Sequence, residues 1–231
     1  MTMITIETLD GQGSFNAWCE EPTGKPRGAI IVIQEIFGVN PGIRQKCKKL
    51  ATDGYLALAP DLFWRAEPGV ELDADKPQEF QHGVDLMMKL DQDLAIRDIE
   101  ATIKAARASM GGGKVGAVGY CLGGRLAFKT SARTDVDASV GYYGVGIDGL
   151  LGEKHAIANP LLLHVPQADG FVSPEAQAKM HEGLDDHPKV MIYDYPGEDH
   201  GFATEMGARR SEQAAQLADQ RTAEFFAEHV G

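Results

Sequence analysis

The sequence predicts an α/β fold: a mostly parallel central sheet, helices on both of its faces and an antiparallel hairpin at the N-terminus. Three observations carry this. Short apolar runs recur along the chain, segments of helical pattern alternate with them, and one glycine-rich turn joins a strand directly to a helix. With 231 residues, 43% of them hydrophobic, the chain has the length for one full-sized core, and a single domain over residues 1–231 is expected.

In chain order, residues 3–8 and 14–20 form the hairpin around Asp10-Gly11. Apolar runs at 29–33, 55–59, 115–118, 138–142, 161–165 and 190–193 read as buried strands. Helical patterns at 42–53, 92–109, 122–132, 175–184 and 209–228 alternate with them and supply the crossovers that parallel strands need. Residues 64–91 are long and mixed in character, a candidate cap over a pocket. No internal repeat or low-complexity segment interrupts the pattern.

The turn with chemistry in it is Gly119-Tyr120-Cys121-Leu122-Gly123. It follows the strand Lys114-Val115-Gly116-Ala117-Val118 and precedes the helical Arg125-Leu126-Ala127-Phe128-Lys129. Strand, sharp turn and helix are the setting of a nucleophile elbow, G-x-Nu-x-G, in an α/β-hydrolase, here with a thiol as nucleophile. Gly119 and Gly123, with Gly124, keep strand and helix from colliding. The glycine spacing is neither G-x-G-x-x-G nor a P-loop, which counts against a phosphate cradle. The competing role for Cys121 is that of a small buried hydrophobe.

Such a hydrolase needs an acid and then a histidine after the nucleophile. Asp169 lies in the polar turn after the apolar run Leu161–Val165, and His200 in the loop leaving Val190–Tyr195. His200 would carry the proton, with Asp169 fixing the imidazole tautomer. His82, His155, His181 and His187 fall in stretches suited to solvent, and His164 inside a strand suits a packed core role. Asp199, adjacent to His200, suits a loop carboxylate. The oxyanion hole of this fold uses the amide after the nucleophile and one from the loop after an earlier strand, here Leu122 and Ile36.

Gln34-Glu35-Ile36-Phe37-Gly38-Val39-Asn40, Val118-Gly119-Tyr120-Cys121-Leu122-Gly123-Gly124 and Gly141-Tyr142-Tyr143-Gly144-Val145-Gly146, together with Pro60-Asp61-Leu62 and the Asp169 and His200 loops, resemble the dienelactone hydrolase (carboxymethylenebutenolidase) family along nearly the whole chain. The resemblance implies a cysteine-dependent α/β-hydrolase with Cys121, Asp169 and His200 as triad. It also implies Glu35 as a carboxylate that restrains the thiol until substrate binds. Read without the resemblance, Glu35 is a strand-end carboxylate with a salt bridge as its ordinary role. Members that cleave dienelactones grip the substrate carboxylate with two arginines, and the matching positions here are Phe80 and Thr204. These two are therefore the expected substrate contacts, with Arg65, Lys76, Arg209 and His82 as substitutes for the missing charge.

A net charge of −12 and a pI near 5.0 argue against nucleic acid as partner, because phosphate binding needs a basic surface. No apolar run approaches a membrane span and residues 1–20 lack a signal-peptide core, so a cytoplasmic protein is expected. Cys19, Cys47 and Cys121 form no metal pattern; the first two are packing residues, and no metal or organic cofactor is implied. The expected function is hydrolysis of lactones or small activated esters through a thioester acyl-enzyme, with a small-molecule lactone or ester as the substrate and neither nucleic acid nor membrane as a partner. The alternatives are a non-catalytic small-ligand receptor on the same fold, or an acyltransferase.

Overall fold

The computed structural model describes residues 2–231. Eight strands form one sheet in the order β1-β2-β4-β3-β5-β6-β7-β8. They are β1 (Thr2–Glu7), β2 (Ser14–Glu20), β3 (Ala29–Ile33), β4 (Leu56–Pro60), β5 (Val115–Tyr120), β6 (Ala138–Tyr142), β7 (Leu161–Pro166) and β8 (Val190–Tyr195). The β1–β2 and β2–β4 pairs are antiparallel and every other pair is parallel. The fold is that of an α/β-hydrolase, as expected.

The period of two in a strand divides the core. Along β3, Ile30 and Val32 face a cluster that includes Ile43, Cys47, Ala215 and Phe226, whereas Ala29, Ile31 and Ile33 face Ile96, Ile99, Leu122 and Leu126. Both faces are apolar because helices cover both. The first is covered by α1 (Pro41–Thr52) and α6 (Glu212–His229), the second by α2 (Pro77–Lys89), α3 (Gln92–Ser109) and α4 (Leu122–Arg133), and α5 (Pro174–Leu184) extends it past β7. Local chemistry starts these helices. Asn40 accepts from the Ile43 amide with Pro41 in the first turn of α1, and Asp91 and Ser173 cap α3 and α5.

Two elements went beyond the sequence pattern. Helix α2 occupies the mixed segment 64–91, and Ile147–Ala156 forms 3-10 turns. One element begins later than expected: α6 starts at Glu212 rather than near 209. The Ser211 hydroxyl donates to Glu198 (2.9 Å) and its amide to the Phe202 carbonyl (2.9 Å), which ties residues 209–211 to the loop after β8. Arg209 is thereby freed from the helix.

Candidate active site

Loops leaving the C-terminal ends of parallel strands converge, the usual place for a site in such a sheet. Glu35 follows β3, Cys121 follows β5, Tyr143 follows β6, Asp169 follows β7 and His200 follows β8.

Cys121 occupies a strained backbone position, φ 54° and ψ −113°, between β5 and α4. The turn is held by the Cys121 amide, which donates to the Tyr142 carbonyl (3.1 Å). A Cβ on Gly119 would lie 1.9 Å from the Gly123 carbonyl oxygen, and one on Gly123 would lie 2.3 Å from that of Ile33. Backbone contacts that close leave room for hydrogen alone. The sulfur is partly exposed, whereas Cys19 and Cys47 are buried.

The structure brings Asp169 and His200 together. His200 Nδ1 lies 2.9 and 3.1 Å from the two Asp169 carboxylate oxygens, and both side chains are buried. A ring nitrogen facing a carboxylate carries the proton, which directs Nε2 toward Cys121. Burial disfavours the charged ring, but the Asp169 carboxylate and the Cys121 sulfur outweigh it and raise His200 to about 10. Tyr143 and Phe171 meet the imidazole edge-on, with centroids 5.0 and 4.8 Å away. The Phe171 amide donates to Asp169 (2.8 Å). Asp199 points away from the ring, as expected, and accepts from the Gly170 (2.9 Å) and His200 (2.7 Å) amides, joining the two loops. His164 is a core residue whose ring nitrogens meet the Tyr195 and Thr222 hydroxyls, and burial pushes it down to about 3.

Glu35 is half-buried, and burial raises its carboxyl, opposed by the charges of His200, Lys46 and Arg209. The adjacent Tyr143 hydroxyl is buried without a well-formed hydrogen bond and faces Glu35 and Cys121. Gln34, fully buried, fixes the loop: its Oε1 accepts from the Leu62 amide (3.1 Å) and its Nε2 donates to the Glu35 carbonyl (3.3 Å). Ile36 follows on the same loop after β3, and Leu122 opens α4 directly after Cys121.

A cavity of about 450 Å³ contains Glu35, Ile36, Cys121, Leu122 and His200. Its walls are mainly apolar: Phe37, Phe80, Val84 and Met87 on one side, Val145, Gly146 and Phe171 on others. Phe80 thus lines the cavity with Cys121. Thr204 does not: its hydroxyl donates to the Met206 carbonyl (3.0 Å) and it lines a neighbouring cavity of about 320 Å³. Arg65 is committed to Asp98, Lys76 to Glu79, and His82 to Glu67. Arg209 alone of the four substitutes lines the cavity with Cys121, its guanidinium 5.6 Å from the Phe80 ring and 5.9 Å from the Phe171 ring.

Sequence reasoning missed Arg125, which also lines this cavity and donates to Gln92 (3.0 Å) and to the Val145 and Gly146 carbonyls. Its position four residues after Cys121, on the same face of α4, was the available signal.

A strand–elbow–helix thiol, a buried imidazole–carboxylate pair and an adjoining apolar cavity, all at one edge of a mostly parallel sheet, define a hydrolase of the α/β-hydrolase class. The chain matches the dienelactone hydrolase family over residues 15–230 and belongs to it. A carboxymethylenebutenolidase of Pseudomonas putida is 36% identical over 225 residues, covering 97% of this chain and 95% of its own. A relative from Azospirillum brasilense reaches 44% over 238 residues, covering 100% of both chains. The crystal structure of a dienelactone hydrolase homologue from Klebsiella pneumoniae aligns with a TM-score of 0.84 at 28% identity, covering 99% of this chain and 100% of that one. The protein is thus an enzyme of the carboxylic ester and lactone hydrolases. Among the described residues, no helix is long and apolar enough to cross a membrane.

Proposed function

We propose that the enzyme opens lactones or cleaves small activated esters through a cysteinyl thioester. The observation that supports this best is the Asp169–His200 pair (2.9 Å) beside a thiol on a strained elbow, facing one cavity. In this mechanism the Cys121 sulfur attacks the carbonyl carbon and the thiol proton passes to His200. The Ile36 and Leu122 amides hold the oxyanion, worth about 10²–10³ in rate per donor in comparable sites. Collapse breaks the acyl–oxygen bond, and the leaving alkoxide or enolate takes the proton from His200. Water then attacks the thioester with His200 as base, releasing the acid and restoring the thiol.

An ionised Glu35 would restrain the resting thiol, since a carboxylate beside sulfur disfavours the thiolate, and burial, which raises its carboxyl, works against that restraint. Thiolate is itself expelled readily from a tetrahedral intermediate, so good leaving groups are favoured over amines. The free thiols suit a reducing, cytoplasmic compartment.

The test is intact-protein mass spectrometry during turnover of an aryl acetate. A transient acetyl adduct on Cys121 and complete loss of turnover in Cys121→Ala are expected. Wild-type rates in Cys121→Ala exclude the mechanism.

A further inference from the structure

Arg125 is a half-buried cation with no carboxylate beside it. Arg107, Arg133 and Arg210 each reach an acid at 2.6 Å, whereas Arg125 makes no ion pair among the described residues. Burial opposes its charge, and Asp148 and Glu153 favour that charge without pairing with it. The guanidinium is nonetheless held in place: Nε donates to Gln92 Oε1 (3.0 Å), and Nη1 donates to the Val145 (3.4 Å) and Gly146 carbonyls. Its other terminal nitrogen, Nη2, has no acceptor among the described residues.

Gln92 repeats the pattern. Its Oε1 accepts from Arg125 and from Lys129 (3.4 Å), which fixes the amide's orientation and leaves Nε2 a donor without an acceptor. Neither free nitrogen is sealed off from solvent, and both residues line the cavity that holds Cys121. Two unspent N–H groups, one of them charged, thus stand at the wall of a mainly apolar space.

That cavity has two ends. His200 lies with Phe171 (4.8 Å), which Arg209 covers, while Arg125 lies with Gln92, Val145 and Gly146. In the proposed mechanism the leaving oxygen must reach His200, so the acyl chain takes the other direction, past Val84 and Met87. Four residues, about 6 Å of helical rise, separate Cys121 from Arg125, an interval that an extended diacid of about six carbons covers. A long side chain on a helix also leans back toward the N-terminus, here toward Cys121.

We propose that Arg125 and Gln92 form a carboxylate site for the far end of the acyl chain, and that the substrates include monoesters of dicarboxylic acids. Arg125 Nη2 and Gln92 Nε2 each donate to the free carboxylate, and the apolar walls take the chain between it and the carbonyl that Cys121 attacks. This rests on the hydrolase reading above. The site is separate from Phe80 and Thr204, the positions at which the family resemblance places arginines, and it does not use Arg209.

The test compares mono(4-nitrophenyl) adipate with 4-nitrophenyl hexanoate, which share a leaving group and a chain length and differ in the terminal carboxylate. The readout is the ratio of kcat/KM, adipate over hexanoate, which damage to the fold alone would not move. Arg125→Met should lower the ratio about thirtyfold, the scale of one charged hydrogen bond. Gln92→Glu, which sets a carboxylate against the substrate's, should lower it about tenfold. This second variant leaves the Arg125 bonds to Val145 and Gly146 in place, and it decides the matter should Arg125→Met fail to fold. Arg209→Met should shift the ratio by less than about threefold, as suits an exposed charge. Turnover of the hexanoate alone by wild type, an unchanged ratio in Gln92→Glu or in folded Arg125→Met, or a larger fall in Arg209→Met than in Arg125→Met overturns the inference. Should wild type turn over neither ester, the hydrolase reading has failed, and the site is judged by calorimetric binding of adipate. Weaker binding to Gln92→Glu and Arg125→Met than to wild type supports it; no binding to wild type, or equal binding to all three proteins, overturns it.

Discussion

The charged form of His200 is favoured by two neighbours that can be removed separately. The Asp169 carboxylate and the Cys121 sulfur both raise it, against burial that lowers it. NMR titration of the ring should therefore show a midpoint well above that of a free histidine in wild type. Cys121→Ala should lower the midpoint and Asp169→Asn should lower it as well. A midpoint unmoved by Cys121→Ala would mean that sulfur and imidazole are not coupled. The sign carries over to stability. A folded-state value raised above the unfolded one stabilises the protein fully below about pH 6.5 and less as pH climbs toward about 10. In acylated enzyme the sulfur no longer contributes, and the ring is released to serve as base for water.

Elbow and helix α1 are the elements on which the site depends. A methyl on Gly123 would meet the Ile33 and Gln34 carbonyl oxygens at 2.3 and 2.6 Å, both backbone atoms of the Glu35 loop. Gly123→Ala should cost at least ~3 kcal/mol in urea denaturation. The loop carrying His200 is tied to α1 by Glu205, whose side chain is 3% exposed and meets Lys46 at 2.8 Å and Lys49 at 2.6 Å. Lys46→Met leaves that buried carboxylate with one fewer cation, and a loss of about 3 kcal/mol is expected by the same measurement. A change under 0.5 kcal/mol would show that Lys49 and Arg210 suffice.

The sheet strands were legible because continuous apolar runs such as Ala29–Ile33 are buried on both faces, and a run of that kind needs no tertiary information to be recognised. Helix α2 was not, because Gly83 interrupts its apolar face where it presses on the Ile36 carbonyl, a contact made only in the fold. Within the site, residues next to strand ends could be located from spacing: Glu35, Cys121, Asp169, His200. Arg209 in the cavity and Thr204 outside it could not be sorted. Their places depend on where α6 starts, which the Ser211–Glu198 bond decides.

At the scale of the whole molecule, a net charge of −12 opposes the approach of anions. For an anionic ester kcat/KM should rise as ionic strength increases from 10 to 200 mM, because the Debye length shrinks from ~30 Å to under ~10 Å. A neutral ester of the same size should be indifferent. An opposite salt response would mean that the local field of Arg125 and Arg209 dominates the long-range one.

The unequal accessibility of the three cysteines makes the protein its own standard. Cys19 and Cys47 are sealed in the core and Cys121 opens on the cavity. A chromogenic disulfide reagent should release one equivalent of colour from native protein and three after denaturation. Because an unfolded molecule contributes three equivalents instead of one, the excess over one in the native reading is about twice the unfolded fraction of a preparation, and a fluorescent maleimide would mark the folded molecules at a single address.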